Sequence, residues 1–127
     1  MQVLLAMHSR YAIEIFNGIK KYEYRKRPFR QTKIDKVIVY ATEPTAMIVG
    51  EFTIDEILCD TPANLWLKTG SASGISKKKF MEYFDNRVKG YAIKIKAYHK
   101  YHKPLPIKDI HRDHPPQSFY YLEDDPL

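Results

Sequence analysis

Cysteine is almost missing from this chain. Cys59 is the only one in 127 residues, so no internal disulfide can form. A reducing compartment, the cytoplasm, is therefore expected. Cys59 follows Ile57 and Leu58 in an apolar stretch and is predicted to be a plain buried thiol, since nothing near it in sequence would lower its pKa. Long apolar runs are missing too. None approaches the roughly 20 residues of a membrane helix, so no membrane contact is expected. The opening run Met1 to Met7 has no basic lead and is too short for a signal peptide, and it reads as a buried first strand. Tryptophan occurs once and glycine five times, so the position of each glycine is informative. Hydrophobic residues make up 44% of the chain, which supports one domain around one core. That domain is expected over residues 1–122, with the acidic residues 123–127 as a frayed tail. No internal repeat is found.

Acidic residues are scarce in one segment. From Lys20 to Lys36 stand Lys20, Lys21, Arg25, Lys26, Arg27, Arg30, Lys33 and Lys36, opposed only by Glu23 and Asp35. This segment carries the whole net charge of +6, and the rest of the chain balances. A basic run can be a merely solvated loop. Tyr22 and Tyr24 interleaved with these charges favour a binding surface for a phosphate-rich partner.

The hydrophobic pattern alternates between short strands and short helices. Val3 to Met7 reads as a buried strand. Ser9 is placed to cap a helix over residues 10–17, with Gly18 as its left-handed stop and Ala12, Ile15, Phe16 and Ile19 as its apolar stripe. Tyr22 to Arg25 and Lys36 to Thr42 read as strands. Met47 to Cys59 reads as a longer one, in which Gly50 marks a bulge or a close approach. Thr61-Pro62 opens a helix anchored by Leu65 and Trp66. Residues 70–74 read as a flexible loop, and Ser76 caps a helix that turns Phe80 and Phe84 inward. Gly90 to Tyr101 alternates as a half-buried antiparallel strand, and residues 115–121 can add an edge strand. This order predicts an α+β domain built on a small β-barrel with short flanking helices, and it does not fit a doubly wound parallel sheet.

The stretch most charged with chemistry is Gly18-Ile19-Lys20-Lys21-Tyr22-Glu23-Tyr24-Arg25. Period-two geometry puts Glu23 and Arg25 on one face, and Lys20 is expected in the turn, swinging back toward them. An ammonium, a carboxylate and a guanidinium together can hold a planar polar ligand or move protons. A simple surface ion pair between Glu23 and Arg25 is the plainer alternative.

This stretch resembles the G-x-K-x-x-E-x-R signature of the ASCH family. Further pieces agree in order: Leu5-Ala6-Met7-His8, Val39-Tyr40-Ala41-Thr42, Ile48-Val49-Gly50-Glu51-Phe52, Leu65-Trp66, Gly74-Ile75-Ser76, Gly90-Tyr91-Ala92-Ile93 and Pro115-Pro116-Gln117-Ser118-Phe119. The resemblance covers nearly the whole chain. It implies a PUA-like barrel with a cleft at one side, similar to PUA domains of RNA modification and to base-reading YTH domains. It further implies binding of single-stranded RNA or a nucleotide-like ligand, with roles in RNA metabolism or transcriptional regulation. On that reading the ligand-binding residues are Ser9, Lys20, Glu23, Arg25, Arg27, Tyr40, Thr42 and Ser118. Arg27, Arg30 and Lys33 would hold phosphates, and Tyr22, Tyr24 and Tyr40 are the stacking candidates.

Some family members are hydrolases, acting on acetylated cytidine or on RNA. An enzyme on the same cleft would use Lys20 and Glu23, or Glu51, as acid and base. In the amidohydrolase members a threonine stands at the position of Glu23, and a carboxylate cannot replace its hydroxyl donor at neutral pH. A pure protein-interaction domain is the remaining class. His8-Ser9-Arg10 opens a helix where an anion or plain capping by Ser9 fits. His99/His102 and His111/His114 have a ligand-like spacing, but three residues apart on a strand diverge, so no metal is expected. No cofactor is expected either.

Overall fold

The computed structural model describes residues 1–27, 29–30 and 33–122. Its centre is a six-stranded sheet in the order β2-β5-β4-β3-β1-β6. The strands are β1 (Gln2–Met7), β2 (Tyr22–Arg25), β3 (Lys36–Ala41), β4 (Met47–Asp60), β5 (Gly90–Leu105) and β6 (Phe119–Leu122). β1 pairs parallel with β3, and the other pairs are antiparallel. Three short helices flank the sheet: α1 (Ser9–Phe16), α2 (Pro62–Thr69) and α3 (Lys77–Tyr83). The α+β barrel-like architecture expected from the pattern is therefore present. The acidic tail expected over 123–127 lies outside the described residues.

The continuous apolar run of β1 reflects burial on both faces. Val3 and Leu5 join Val37, Val39, Phe52, Ile93 and, from α1, Ala12 and Ile15. Leu4 and Ala6 point the other way, against Ile38, Tyr40, Ile48, Ile110 and Leu122. A third cluster lies outside β2 and β5, where α2 and α3 bring Leu65, Phe80 and Phe84 onto Tyr24 and Ala92. Phe80 is fully buried, worth about 1.5–3 kcal/mol on area alone. It sits in a T-shaped pair with Tyr24, ring centroids 4.8 Å apart.

Several local expectations are corrected. His8 caps α1, its imidazole accepting from Arg10 N, whereas the Ser9 hydroxyl donates to Thr42 O at 3.2 Å. Ile19, assigned to the helix stripe, is 58% exposed because the chain has already turned at Gly18, φ +76°. Cys59 is exposed: alternation along β4 gives the inward place to Leu58 and turns Ile57 and Cys59 outward. β5 runs on to Leu105, and it is not half-buried throughout. Ala92 and Ile93 are both covered, by the third and the first cluster, while residues 96–100 are exposed on both faces, because none of the clusters reaches them. Residues 70–74 open with a 3₁₀ turn, Gly70–Ala72, and Ser73 after it is fully buried. Its hydroxyl donates to Gly70 O at 2.7 Å and accepts from Ile75 N. Thr61 and Ser76 cap α2 and α3 as expected, each accepting from a backbone N–H three residues on.

Candidate functional site

β2 and β6 are the two edges of the sheet, so its curl brings them to an open seam. The Arg25 side chain bridges the seam. Arg25 on β2 donates from Nη2 to Ala6 O of β1 at 2.8 Å, and from Nη1 to the Ser118 hydroxyl, just before β6, at 3.4 Å. Beside this bridge opens a cleft of about 680 Å³. Its wall includes His8, Tyr11, Lys20, Glu23, Arg25 and Tyr83.

The turn after α1 delivers Lys20 into the cleft floor. Ile19 N and Lys20 N both donate to Glu14 O, at 2.9 and 3.1 Å, folding the turn back on the helix. Lys21 N then donates to Ala72 O, and Lys20 Nζ donates to Ser73 O at 2.9 Å. The 3₁₀ turn is thereby clamped onto Lys20, which keeps only 3% of its surface exposed. Its ammonium lies 3.8 Å from Glu23 Oε1 and about equally far from two aromatic rings, 5.2 Å from Tyr11 and 5.0 Å from Tyr24. Glu23 meets Arg25 through its other oxygen, Oε2 to Nη2, at 3.1 Å. One buried carboxylate thus stands between two cations, and the trio keeps a net positive charge.

Burial lowers the pKa of Lys20 below the ordinary 10.5. Glu23 and then Glu14 oppose this by stabilising the ammonium, and Arg25 adds to the lowering. Tyr24 is shifted up, first by burial, with its hydroxyl bonds to Thr69 and Ser73 working against that. Its hydroxyl is 2.7 Å from Thr69 Oγ1, which itself donates to Leu65 O.

Of the residues singled out from the sequence, Lys20, Glu23, Arg25 and Thr42 line the cleft, and Ser118 stands behind Arg25. Ser9 is turned away, its hydroxyl shared between Thr42 O and Thr45 Oγ1, and it lines a separate small apolar cavity. Tyr40 is 5% exposed in the second core cluster and presents no ring face to a ligand. Tyr22 packs against the third cluster, and Tyr24, one of its members, also lines the cleft. Arg27 and Arg30 line a neighbouring groove. Glu51 accepts from the Tyr101 hydroxyl at 2.8 Å and pairs with Lys36, outside the cleft lining. Among the described residues no group of three or more His, Cys, Asp or Glu side chains is arranged to hold a metal ion. No helix among them is long and apolar enough to cross a membrane.

Sequence reasoning passed over Tyr11, Tyr83, Ser73 and Glu14. Tyr11 sits on α1 four residues before Ile15, a helical spacing that carries it to the same side. Ser73 was hidden in a segment whose small residues suggested flexibility. Nothing in the sequence signals the Ser73 carbonyl or Tyr83.

The profile of the ASCH domain matches residues 5–102. The crystal structure of ASCH from Zymomonas mobilis superposes with a TM-score of 0.89 at 23% identity, covering 98% of this chain and 90% of that one. An ASCH domain-containing ribonuclease of Zymomonas mobilis is 24% identical over 125 residues, 95% of this chain and 84% of the relative. The large ribosomal subunit protein uL22 of Ureaplasma parvum serovar 3 is 28% identical over 123 residues, and the ATP synthase subunit alpha of that species is 29% identical over 122. The chain spans only 39% and 15% of these two relatives' lengths. The fold is the PUA-like one that the sequence pattern resembles.

Proposed function

The chain belongs to the ASCH domain family, and on that premise we propose that its seam cleft binds single-stranded RNA, taking one unstacked nucleotide against the Lys20–Glu23–Arg25 floor. The observation that carries this reading is the buried trio itself. A carboxylate wedged between an ammonium and a guanidinium offers fixed acceptors and donors in one small, half-enclosed space. Such a set suits the hydrogen-bonding edge of a base, which a single strand can present and a duplex cannot. Tyr11 and Tyr83 flank the floor as ring surfaces beside Tyr24, the one of the three expected stacking tyrosines that lines the cleft. The net positive charge of the trio suits an adjoining phosphate. That a relative is called a ribonuclease favours RNA over other planar polar ligands.

A second reading rests on one specific observation, the burial of Lys20 beside the Glu23 carboxylate, a burial that lowers its pKa. A buried lysine that loses its proton more easily can serve as a base, which makes RNA hydrolysis in the same cleft the enzymatic alternative. Hydrolysis of acetylated cytidine is disfavoured, because Glu23 stands where that chemistry needs a hydroxyl. Both are tested together. Labelled single-stranded RNA is titrated with the protein at several salt concentrations, and the recovered RNA is run on a denaturing gel. We expect binding that weakens with salt and is lost in Lys20→Met. Absence of binding at low salt would refute the RNA reading. Fragments formed by the parent but not by Lys20→Met would move cleavage to first place.

A further inference from the structure

We propose that a second, basic groove, opening out of the cleft past Arg25 and Tyr83, carries the sugar-phosphate backbone of a single RNA strand, so that the ligand is a strand and not a mononucleotide. This rests on the reading of the cleft given above. The groove encloses about 730 Å³ between the segment after β2 and strand β6. Arg25 and Tyr83 line both spaces, so the two adjoin. Besides Arg25, the groove is lined by Lys26, Arg27, Arg30 and Arg87. Among the described residues no carboxylate lines it, and of its five cations only Arg25 is ion-paired.

These charges do not form a loose run along one loop. Arg87 comes from the segment between α3 and β5, far from the others in sequence, and donates from Nη2 to Lys26 O at 3.0 Å. Lys26 Nζ lies over the Tyr83 ring, 4.9 Å from its centroid. Arg30 N donates to the Tyr121 hydroxyl at 2.6 Å. Phe29, buried between them in sequence, packs edge-on against Phe119 at 4.9 Å. Lys26 and Arg30 are therefore each tied by a backbone hydrogen bond, and Phe29 by its packing in the core. Gathering cations on a fixed frame without counter-charges is unfavourable unless an anion of matching shape is the ligand.

The groove also offers the side chains of Tyr83, Phe119 and Tyr121 beside the cations. Alternation of aromatic rings with positive charge is the pattern that holds single strands, since bases stack while phosphates pair. The basic path then continues. Lys26, Arg27 and Arg87 also line a third depression of about 440 Å³, to which Lys89 contributes. An acidic peptide would meet the charge but would leave the rings unused.

The experiment compares uridine monophosphate with oligouridylates of increasing length, in fluorescence competition against the full chain and against the double variant Arg30→Ala/Arg87→Ala. Melting curves first confirm that the variant folds; Arg87→Gln, which removes the charge but can still donate to Lys26 O, replaces Arg87→Ala if it does not. For the parent, affinity should climb with length until the strand fills the groove. The double variant should bind the monophosphate like the parent but bind the long oligomer at least tenfold more weakly. Its salt slope should fall by about 1.4, since each phosphate contact of a single strand contributes about 0.7. Affinity that is flat with length, or an unchanged slope in the variant, would overturn the groove while leaving the cleft reading intact. Displacement of the oligomer by polyglutamate as efficiently as by RNA would also overturn it, in favour of an acidic peptide. Failure of every nucleotide and oligomer to bind at low salt would defeat both.

Discussion

Lys20 is a charged side chain held almost wholly out of water, and its environment opposes itself. Burial lowers its pKa, while Glu23 and Glu14 pull it back up. Desolvation is the largest effect, so selective NMR titration of the Lys20 side chain should place its midpoint below 10.5. A midpoint at or above that value would show that the carboxylates win. The sign also fixes a stability trend. Below both midpoints the folded and unfolded chains are equally protonated, and burying the ammonium is a constant cost. Between the folded midpoint and 10.5 the unfolded chain binds the extra proton, so stability rises with pH. Lys20→Met has no such titration. The parent should therefore gain on the variant in denaturant midpoint as the pH climbs toward 10, where Tyr24 is common to both. A difference constant with pH would contradict the assignment.

Arg25 works differently, because its side chain keeps 14% of its surface exposed and its guanidinium donates to the frame as well as to Glu23. Arg25→Ala should lower stability by about 1.5–3 kcal/mol, the range for hydrogen bonds to charged groups. Urea unfolding measures this directly. A loss within a few tenths of a kcal/mol would mean that the seam is held by other contacts. The expectation that Glu23 and Arg25 share one face, with Lys20 swinging back from a turn, was legible because strand periodicity and a glycine stop are local rules. The depth of burial was not, because it depends on Ser73 and the 3₁₀ turn, more than fifty residues downstream.

At the scale of the elements, Gly50 shows how one position couples helix and sheet. β4 shifts register between Ile48 and Gly50, and a Cβ built at Gly50 would lie 2.4 Å from the Phe16 ring and 2.7 Å from His99 O. The ring can move, but the carbonyl belongs to the neighbouring strand. Gly50→Ala should therefore cost about 1–3 kcal/mol, as overpacking of tight interiors does. Thermal melting checks it, and a variant as stable as the parent would show that the strands separate readily. Sequence reasoning recognised Gly50 as a bulge or a close approach, since glycine inside a strand pattern has few other uses. It misplaced Cys59 and overextended the regularity of β5 for one reason. A strand's period tells which residues share a face, but not which face is covered, and on β5 the core clusters take Ala92 and Ile93 but none of residues 96–100. Tyr40 failed as a stacking candidate on the same point, since both faces of β3 are buried.

At the scale of the whole molecule, the open seam sets the order in which the structure loosens. β3, β4 and β1 are paired on both sides and carry the residues of the first two core clusters. β2 and β6 are the sheet edges, four residues each, and each has one paired neighbour. Arg25 bridges the seam beside them, reaching Ala6 O and the Ser118 hydroxyl, and the segment after β2 also meets β6 through Arg30 N on the Tyr121 hydroxyl and Phe29 on Phe119. Elements with few partners open by local unfolding at lower free energy than the core. Native-state hydrogen exchange should thus show the amides of β2 and β6 exchanging well before those of β1 and β3. Because the cleft lies across this seam, a ligand seated on Lys20, Glu23 and Arg25 contacts only the closed form. By mass action it should slow exchange in β2 and β6 together, and leave the core amides limited by global unfolding. Protection confined to β2, with β6 unchanged, would show that the ligand does not span the seam. Equal exchange across all six strands in the free protein would show that the seam opens no sooner than the sheet's centre, and that Arg25 closes it as firmly as a backbone ladder would.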